Sequence, residues 1–261
     1  MKGKIITITS GKGGVGKTTT TANLGLGLAM LGRRVICMDA DIGLRNLDVM
    51  LGLENRIVYD IVNVVEGHCS LRKALVRDKR FPELQILPAA QTRDKSAVTE
   101  EDMERVANEA AEVADYVIID SPAGIEHGFR YAVRPANLVL IVTNPEVTAV
   151  RDADRVIGLL ESEGLAPANL IINRIKPEMV RRNEMLDADA IVDLLAIHLI
   201  GLVPEDSAIL AAGNRGQPVV LDERSDAGAA FRNITRRLEG EDVPFIPLKG
   251  PSLLQRLFGV R

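Results

Sequence analysis

The stretch Ser10-Gly11-Lys12-Gly13-Gly14-Val15-Gly16-Lys17-Thr18-Thr19 constrains this chain more than any other part of it. It follows the β-branched apolar run Lys4-Ile5-Ile6-Thr7-Ile8-Thr9 and leads into a helical pattern at 23–31. Strand, glycine loop and helix in that order turn the G-x-x-x-x-G-K-[ST] pattern into a phosphate site. Gly11, Gly13, Gly14 and Gly16, with Val15 between them, let the loop aim its backbone N–H groups at phosphate oxygens. The helix adds the positive end of its dipole. Lys17 is expected at the β and γ phosphates, and the Thr18 hydroxyl on Mg²⁺. Lys12 is a second cation in a loop that needs only Lys17. Its spacing leaves two uses open: reaching a nucleotide held by a second copy, as an arginine finger does in trans, or lending general positive potential.

The rest of the pattern says what surrounds the loop. Continuous apolar runs at 35–38, 84–87, 116–119, 138–143, 170–172 and 199–203 alternate with helical patterns at 58–65, 71–75, 99–114, 150–163, 188–196 and 226–238. Residues 42–48, of mixed polarity and no period, read as a loop. Runs that do not alternate apolar with polar belong to strands buried on both faces. The expected fold is therefore α/β, a mostly parallel buried sheet flanked by helices on both faces, of the P-loop NTPase type. With 46% hydrophobic residues but only 3% aromatics and no Trp, its core must be built from Ile, Leu, Val and Ala. The organisation expected is an ATPase domain at 1–238, a linker at 239–250 and a tail at 251–261.

Composition also narrows the partners. A net charge of −4 exerts no global pull on nucleic acid, and the Arg33-Arg34, Arg181-Arg182 and Arg236-Arg237 pairs read as solvated faces. Cys37 and Cys69 lie in no C-x-x-C and are expected to be reduced thiols. The first apolar run is too short for a secretory leader, and no stretch approaches the roughly 18 apolar residues of a membrane span. A cytoplasmic protein is expected.

In an open parallel sheet, ligands bind beyond the carboxyl ends of the strands. Those ends carry Asp39-Ala40-Asp41, Asp120 followed by Ser121-Pro122-Ala123-Gly124, Thr143-Asn144, Asn173, and Pro204-Glu205. Asp120, after the run Val117-Ile118-Ile119, has the form of an acid that holds Mg²⁺ through water. Gly124 is placed to offer its N–H to the γ-phosphate. Asp41 or Asp39 could orient the attacking water, and Asp39 also counts as a metal-side candidate with Thr18 and Asp120.

These residues resemble a known family. The second lysine of Gly11-Lys12-Gly13-Gly14-Val15-Gly16-Lys17-Thr18, with Asp39-Ala40-Asp41 and the 120–124 stretch, is similar to the deviant Walker A (ParA/MinD) ATPases. The loops Asp41-Ile42-Gly43-Leu44-Arg45-Asn46-Leu47-Asp48, Leu87-Pro88-Ala89-Ala90-Gln91-Thr92-Arg93-Asp94-Lys95, 120–126, Thr143-Asn144-Pro145-Glu146 and Val203-Pro204-Glu205-Asp206 resemble the MinD branch in particular. The resemblance implies an ATP-switched homodimer that hydrolyses ATP to ADP with Mg²⁺ and positions the bacterial division septum. Implied partners are a MinC-like inhibitor, a MinE-like activator or other topological factor, and an anionic membrane surface, with no nucleic acid. Residue by residue, it implies Lys12 on the partner subunit's nucleotide, and Lys17, Thr18 and Thr19 on phosphates and Mg²⁺. It further implies Asp41 near the attacking water, Asp120 supporting the metal, and Glu146 at the opposite subunit's nucleotide. Asn173 with Arg174, and Pro204, Glu205 and Asp206, would border the adenine. The rivals are a ParA-like DNA-partition ATPase and a FlhG-type flagellar-number ATPase.

The tail makes its own argument. Leu253, Leu254, Leu257 and Phe258 fall on one helical face, and Lys249, Arg256 and Arg261 add positive charge with no acid among them. Such a helix binds membrane surfaces. Burying four large apolar side chains is worth ~6–12 kcal/mol and three cations near an anionic leaflet ~3, against ~15 for ordering ten residues. One tail is near break-even, and two on a dimer gain by avidity. The protein is thus expected in the cytoplasm and reversibly at the inner face of the plasma membrane.

Overall fold

A computed structural model of the chain describes residues 2–125 and 127–247. The tail residues Leu253, Leu254, Arg256, Leu257 and Phe258 lie outside the described residues. Eight strands, β1 (Lys4–Thr9), β2 (Val35–Asp39), β3 (Val76–Arg77), β4 (Leu84–Leu87), β5 (Tyr116–Asp120), β6 (Leu138–Thr143), β7 (Ala168–Ile175) and β8 (His198–Pro204), form one sheet in the order β3-β4-β2-β5-β1-β6-β7-β8. Every neighbouring pair is parallel except β3 with β4, so the expected fold class holds, with a two-residue antiparallel edge that the sequence did not signal.

The helices are α1 (Lys17–Met30), α2 (Leu47–Leu51), α3 (Ile61–Val65), α4 (Leu71–Ala74), α5 (Glu100–Val113), α6 (His127–Val133), α7 (Val147–Ser162), α8 (Pro177–Arg181), α9 (Ala188–Leu195), α10 (Ser207–Gly213) and α11 (Asp226–Leu238). Among the described residues none is long and apolar enough to cross a membrane. Helix α5 starts at a capping box, which the Thr99-x-x-Asp102 spacing of the sequence allows: Thr99 accepts from the Asp102 backbone N–H and the Asp102 side chain accepts in return. Helix α2 corrects the sequence reading, because it begins inside the stretch read as a loop. Five residues show too little period to betray a helix.

The central strands are buried along their whole length. All five residues of β2 and all six of β6 are buried. One face packs on α1 and α11 through Leu24, Leu28, Ile118, Leu140, Phe231 and Ile234; the other on α5 through Met103, Val106, Ala110, Val117 and Ile119. Helix α1 is buried on nearly every side, so its glycines are close-packing positions. A Cβ on Gly25 would lie 2.3 Å from the Cys37 sulfur. These layers present β1, β2 and β5 with their carboxyl ends level. Asp39 and Asp120 are register partners on adjacent strands, and Ile8, two residues before the phosphate loop, pairs with Asp120 on the other side.

At the opposite end the chain does not leave the domain at residue 238. Arg237, in the last turn of α11, donates from Nε to the Val243 carbonyl (2.9 Å) and from Nη1 to the Ile200 carbonyl (2.9 Å). Ile200 is skipped by the β7–β8 register, which runs from Leu170↔Leu199 to Ile171↔Gly201. The guanidinium also lies 4.1 Å from the ring centroid of Phe245, and Ile246 packs on the core. The start of the segment expected as linker is therefore docked. Arg237→Ala is expected to lower unfolding free energy by about 1–3 kcal/mol through these lost bonds, read as a lower urea midpoint at unchanged slope.

Candidate nucleotide site

Between β1 and α1 the loop turns through Gly14 (φ +77°) and Gly16 (φ +105°), conformations that favour glycine. Gly16 is also hemmed in: a Cβ there would lie 2.3 Å from Asn173 Nδ2. The backbone N–H groups of Lys17, Thr18 and Thr19 precede the helix's own ladder, which begins where the Thr20 N–H donates to the Gly16 carbonyl (2.9 Å). A run of unsatisfied donors at the start of a fourteen-residue helix is what phosphate oxygens require. Lys17, 8% exposed, donates from Nζ to Ser10 Oγ (3.1 Å), and Ser10 Oγ donates to the Lys12 carbonyl (2.8 Å). Burial pulls the Lys17 ammonium below its ordinary value, while Asp120 and then Asp41 oppose that pull.

Asp120 is 1% exposed and is hydrogen-bonded by the hydroxyls of Thr18 and Thr21, the latter at 3.2 Å. Burial, followed by repulsion from Asp39, pushes its carboxyl up to about 8, against the lowering effects of Thr18, Lys17 and Thr21. Asp39 is pushed up to about 6, again chiefly by burial. Two adjacent buried carboxylates held short of full ionisation beside a threonine hydroxyl fit a divalent cation, which supplies the missing positive charge. The donor set thus fits Mg²⁺, with Thr18 and Asp120 as the groups that would hold it.

Asp39 has a second task. Its Oδ1 accepts from the Asp41 N–H (3.0 Å), and its Oδ2 from the N–H groups of Asn46 (3.1 Å) and Leu47 (3.2 Å). Both oxygens close the loop that carries Asp41. Behind it, Tyr131 donates to the Ala40 carbonyl (2.6 Å). The loop passes through Gly43 (φ +95°) and Arg45 (φ +37°), and the latter is unusual for a side chain of that size.

The remaining candidates gather around the same end of the sheet. Asn173 is buried; its Nδ2 donates to the Val15 carbonyl (2.8 Å) and its Oδ1 accepts from the Arg174 N–H (3.0 Å). It therefore braces the phosphate loop as well as standing on the side expected for the base. Arg174 is exposed at φ +57°. Pro204 ends β8, the Glu205 N–H donates to the Ile175 carbonyl (3.0 Å), and the Asp206 carboxylate accepts from Ala208 N–H (2.8 Å) and Ser225 Oγ (2.6 Å). Gly124 has φ +90° and open space around it. Thr19 is half-buried in the first turn of α1. Lys12 points away from the cradle, with Nζ 3.3 Å from Glu146 Oε2 and 3.4 Å from Thr148 Oγ1. Sequence reasoning missed Ser10, Thr21 and Tyr131. The run of four threonines, 18–21, was the one available signal, since Thr18 and Thr21 share a helix face.

With this geometry in place, similarity can be weighed. Residues 6–219 match the family model described as "CobQ/CobB/MinD/ParA nucleotide binding domain". The chain is 57% identical over 257 residues to the septum site-determining protein MinD of Synechocystis sp., covering 97% of each. Its fold matches MinD in a MinC:MinD cell division protein complex of Aquifex aeolicus, at TM-score 0.87 and 52% identity over 94% of this chain and 98% of that one. It also matches the Pyrococcus horikoshii septum site-determining protein MinD complexed with Mg-ADP, at TM-score 0.82 and 30% identity over 90% and 96%.

The raised carboxyls carry a pH signature. A carboxyl whose folded pKa exceeds its unfolded value adds stability that is complete below the unfolded pKa and is lost as pH rises through the folded one. The protein without nucleotide is therefore expected to lose thermal stability between about pH 4 and pH 8 through Asp39 and Asp120. Asp120→Asn should flatten that loss and raise Tm near pH 8 by a few degrees, on the order of a 1 kcal/mol gain, in differential scanning calorimetry.

Proposed function

The chain belongs to the MinD family of P-loop ATPases, and on that premise we propose that it is an ATP-switched peripheral membrane protein that helps position the bacterial division septum. It hydrolyses ATP to ADP and phosphate with Mg²⁺. The N–H groups of 13–19 and Lys17 hold the phosphates, Thr18 and Asp120 hold the cation, and Gly124 offers its N–H at the γ-phosphate. Bound Mg²⁺ neutralises charge on the phosphate oxygens. Asp41, on the loop closed by Asp39, orients the attacking water. Asn173, Arg174 and the 204–206 turn face the base.

The observation that carries the switch is the position of Lys12. It is an exposed cation outside its own cradle, held by a surface pair with Glu146 that is 43% and 55% exposed and by a contact to Thr148 Oγ1. Such pairs contribute roughly 0–1 kcal/mol and exchange partners readily. Lys12 is thus free to enter the site of a second copy as an arginine finger would, with Glu146 at the same seam. ATP-bound dimers present two tails, and avidity draws them to anionic lipid. A MinC-like inhibitor and a MinE-like activator engage the exposed face of α7, beside Lys12.

The arginine pairs support this reading over DNA partition. Arg33 is paired with Glu239, Arg34 with Asp115, Arg182 with Glu184 and Arg236 with Glu241, while Arg237 holds two carbonyls. Set beside carboxylates in this way, the paired arginines carry little excess positive charge for sequence-independent phosphate contacts.

Co-sedimentation with anionic liposomes tests the proposal, comparing ATP with ADP and the full chain with one ending at Gly250. Pelleting is expected with ATP only and is expected to vanish on truncation. Lys12→Ala should retain ATP binding within about threefold yet lose both dimerisation and pelleting. DNA retardation under ATP, with no pelleting in either nucleotide, would instead favour the partition reading.

A further inference from the structure

The loop that carries Asp41 is turned by its own bonds, Leu44 and Arg45 N–H to the Asp41 carbonyl (3.1 and 3.3 Å), and tied to the Ala90 carbonyl by the Gly43 N–H (2.8 Å), but its far side rests on α2. It has no ladder bonds, it includes Arg45 at positive φ, and it leads into α2, a five-residue helix too short to be stable alone. The position of Asp41 therefore depends in part on what pins the two ends of α2. At the upper end Asp39 takes the N–H groups of Asn46 and Leu47. Leu47 and Leu51 are buried in the core, and Arg45 pairs with the buried Asp48 at 2.9 Å.

The lower end is held by a residue far from the chemistry. Arg80 donates from Nη2 to the Leu51 carbonyl (2.7 Å) and from Nη1 to the Gly216 carbonyl (3.1 Å). Its guanidinium is itself fixed by Asp78, which is 1% exposed, through Nε (3.1 Å) and Nη2 (2.7 Å), and Asp78 also accepts the Arg80 backbone N–H (2.7 Å). The two carbonyls stand on touching turns. Gly52 (φ +67°) and Gly216 (φ +60°) approach so closely that a Cβ on Gly216 would lie 2.4 Å from the Gly52 Cα. Gly216 ends the turn after α10, the helix whose first residue follows Asp206 on the base side.

Arg80 sits at the amino end of the sheet. The Asp78 N–H donates to the Leu84 carbonyl, and Leu84 and Val35 are the paired first residues of β4 and β2. The phosphate loop and Asp41 lie at the other end, about 13 Å away along the five residues of β2. Arg80 thus cannot touch substrate, yet it joins α2, the Gly216 turn and the β3–β4 turn in one fork, a geometry that a lysine cannot reproduce.

We propose that Arg80 is a positioning residue for ATP hydrolysis: by pinning the end of α2 to the Gly216 turn, it fixes the loop on which Asp41 orients water. This rests on the reading of Asp41 given above. Because Arg80 acts on the placement of Asp41 and not on the phosphate cradle, its loss reaches the chemical step and spares nucleotide binding.

The test measures Mg-ATP turnover and nucleotide-binding stoichiometry of the full chain. Arg80→Ala is expected to lower kcat about tenfold or more while KM and the bound nucleotide per chain stay within about twofold. Arg80→Lys should not restore kcat, and Asp78→Asn, which leaves the guanidinium present but unanchored, should lower it in the same direction. In the Asp41→Ala background, adding Arg80→Ala should change kcat less than about twofold, because both changes act on one group. A folded Arg80→Ala variant with parental kcat overturns the proposal. So does a bound-nucleotide count that falls in step with kcat, or a double variant in which the two losses multiply. If Arg80→Ala does not fold, Arg80→Lys and Asp78→Asn carry the same comparison. An Asp41→Ala chain that keeps parental turnover removes the Asp41 reading itself, an outcome distinct from an inactive Asp41→Ala beside an unaffected Arg80→Ala.

Discussion

Two carboxylates and one ammonium are kept out of water at the carboxyl end of this sheet, next to a run of backbone donors that the protein leaves unsatisfied. That imbalance governs the molecule. Burial holds Asp39 and Asp120 toward their neutral forms and Lys17 toward its own. A polyphosphate with its cation would resolve both deficits at once, its oxygens taking the free N–H groups at the helix start and its metal the charge of Asp120. The fold exists to keep this end of β1, β2 and β5 level and dry. The fully buried strands, the glycines of α1 and the close approach of Gly16 to Asn173 all serve that alignment.

The two charges held outside the cradle follow a different rule. Lys12 and Glu146 are exposed, so water screens their attraction and little free energy fixes them together. Lys17 cannot leave its place without unpairing a buried group, whereas Lys12 can. One loop therefore carries both a fixed, buried lysine and a movable, exposed one. A contact made between subunits must be cheap to break within one subunit, and the surface pair meets that condition.

How much of this could be read from residues alone depended on the range of the interaction. The phosphate loop, the apolar strands and the capping box of α5 are local, and each was visible because its spacing matches a strand, turn or helix period. Asp39 and Asp120 were visible as strand ends, but their side-by-side register is a product of strand order, 81 positions apart in the chain. Helix α2 was hidden because five residues cannot display a period. Asn173 on the Val15 carbonyl, Tyr131 on the Ala40 carbonyl and Arg80 between Leu51 and Gly216 were hidden for another reason. Their acceptors are backbone carbonyls, and a carbonyl carries no residue identity for the sequence to show.

The nucleotide end and the tail end are joined by one element. The N-cap of α11, Ser225, donates to Asp206 on the base side, and its last turn holds the Val243 carbonyl through Arg237. The helix is thirteen residues, about 20 Å, and its Ala227, Ala230, Phe231 and Ile234 are buried against the sheet. A rod so anchored cannot loosen at one end in response to the other without opening the core, which costs several kcal/mol per large side chain exposed. Nucleotide is therefore poorly placed to release or recruit the tail by melting its root. The proposed pairing of two chains asks only that Lys12 change partners, and it would bring two tails together without opening that core. The proposed switch by dimer avidity is compatible with a rigid α11 in a way that melting the helix is not.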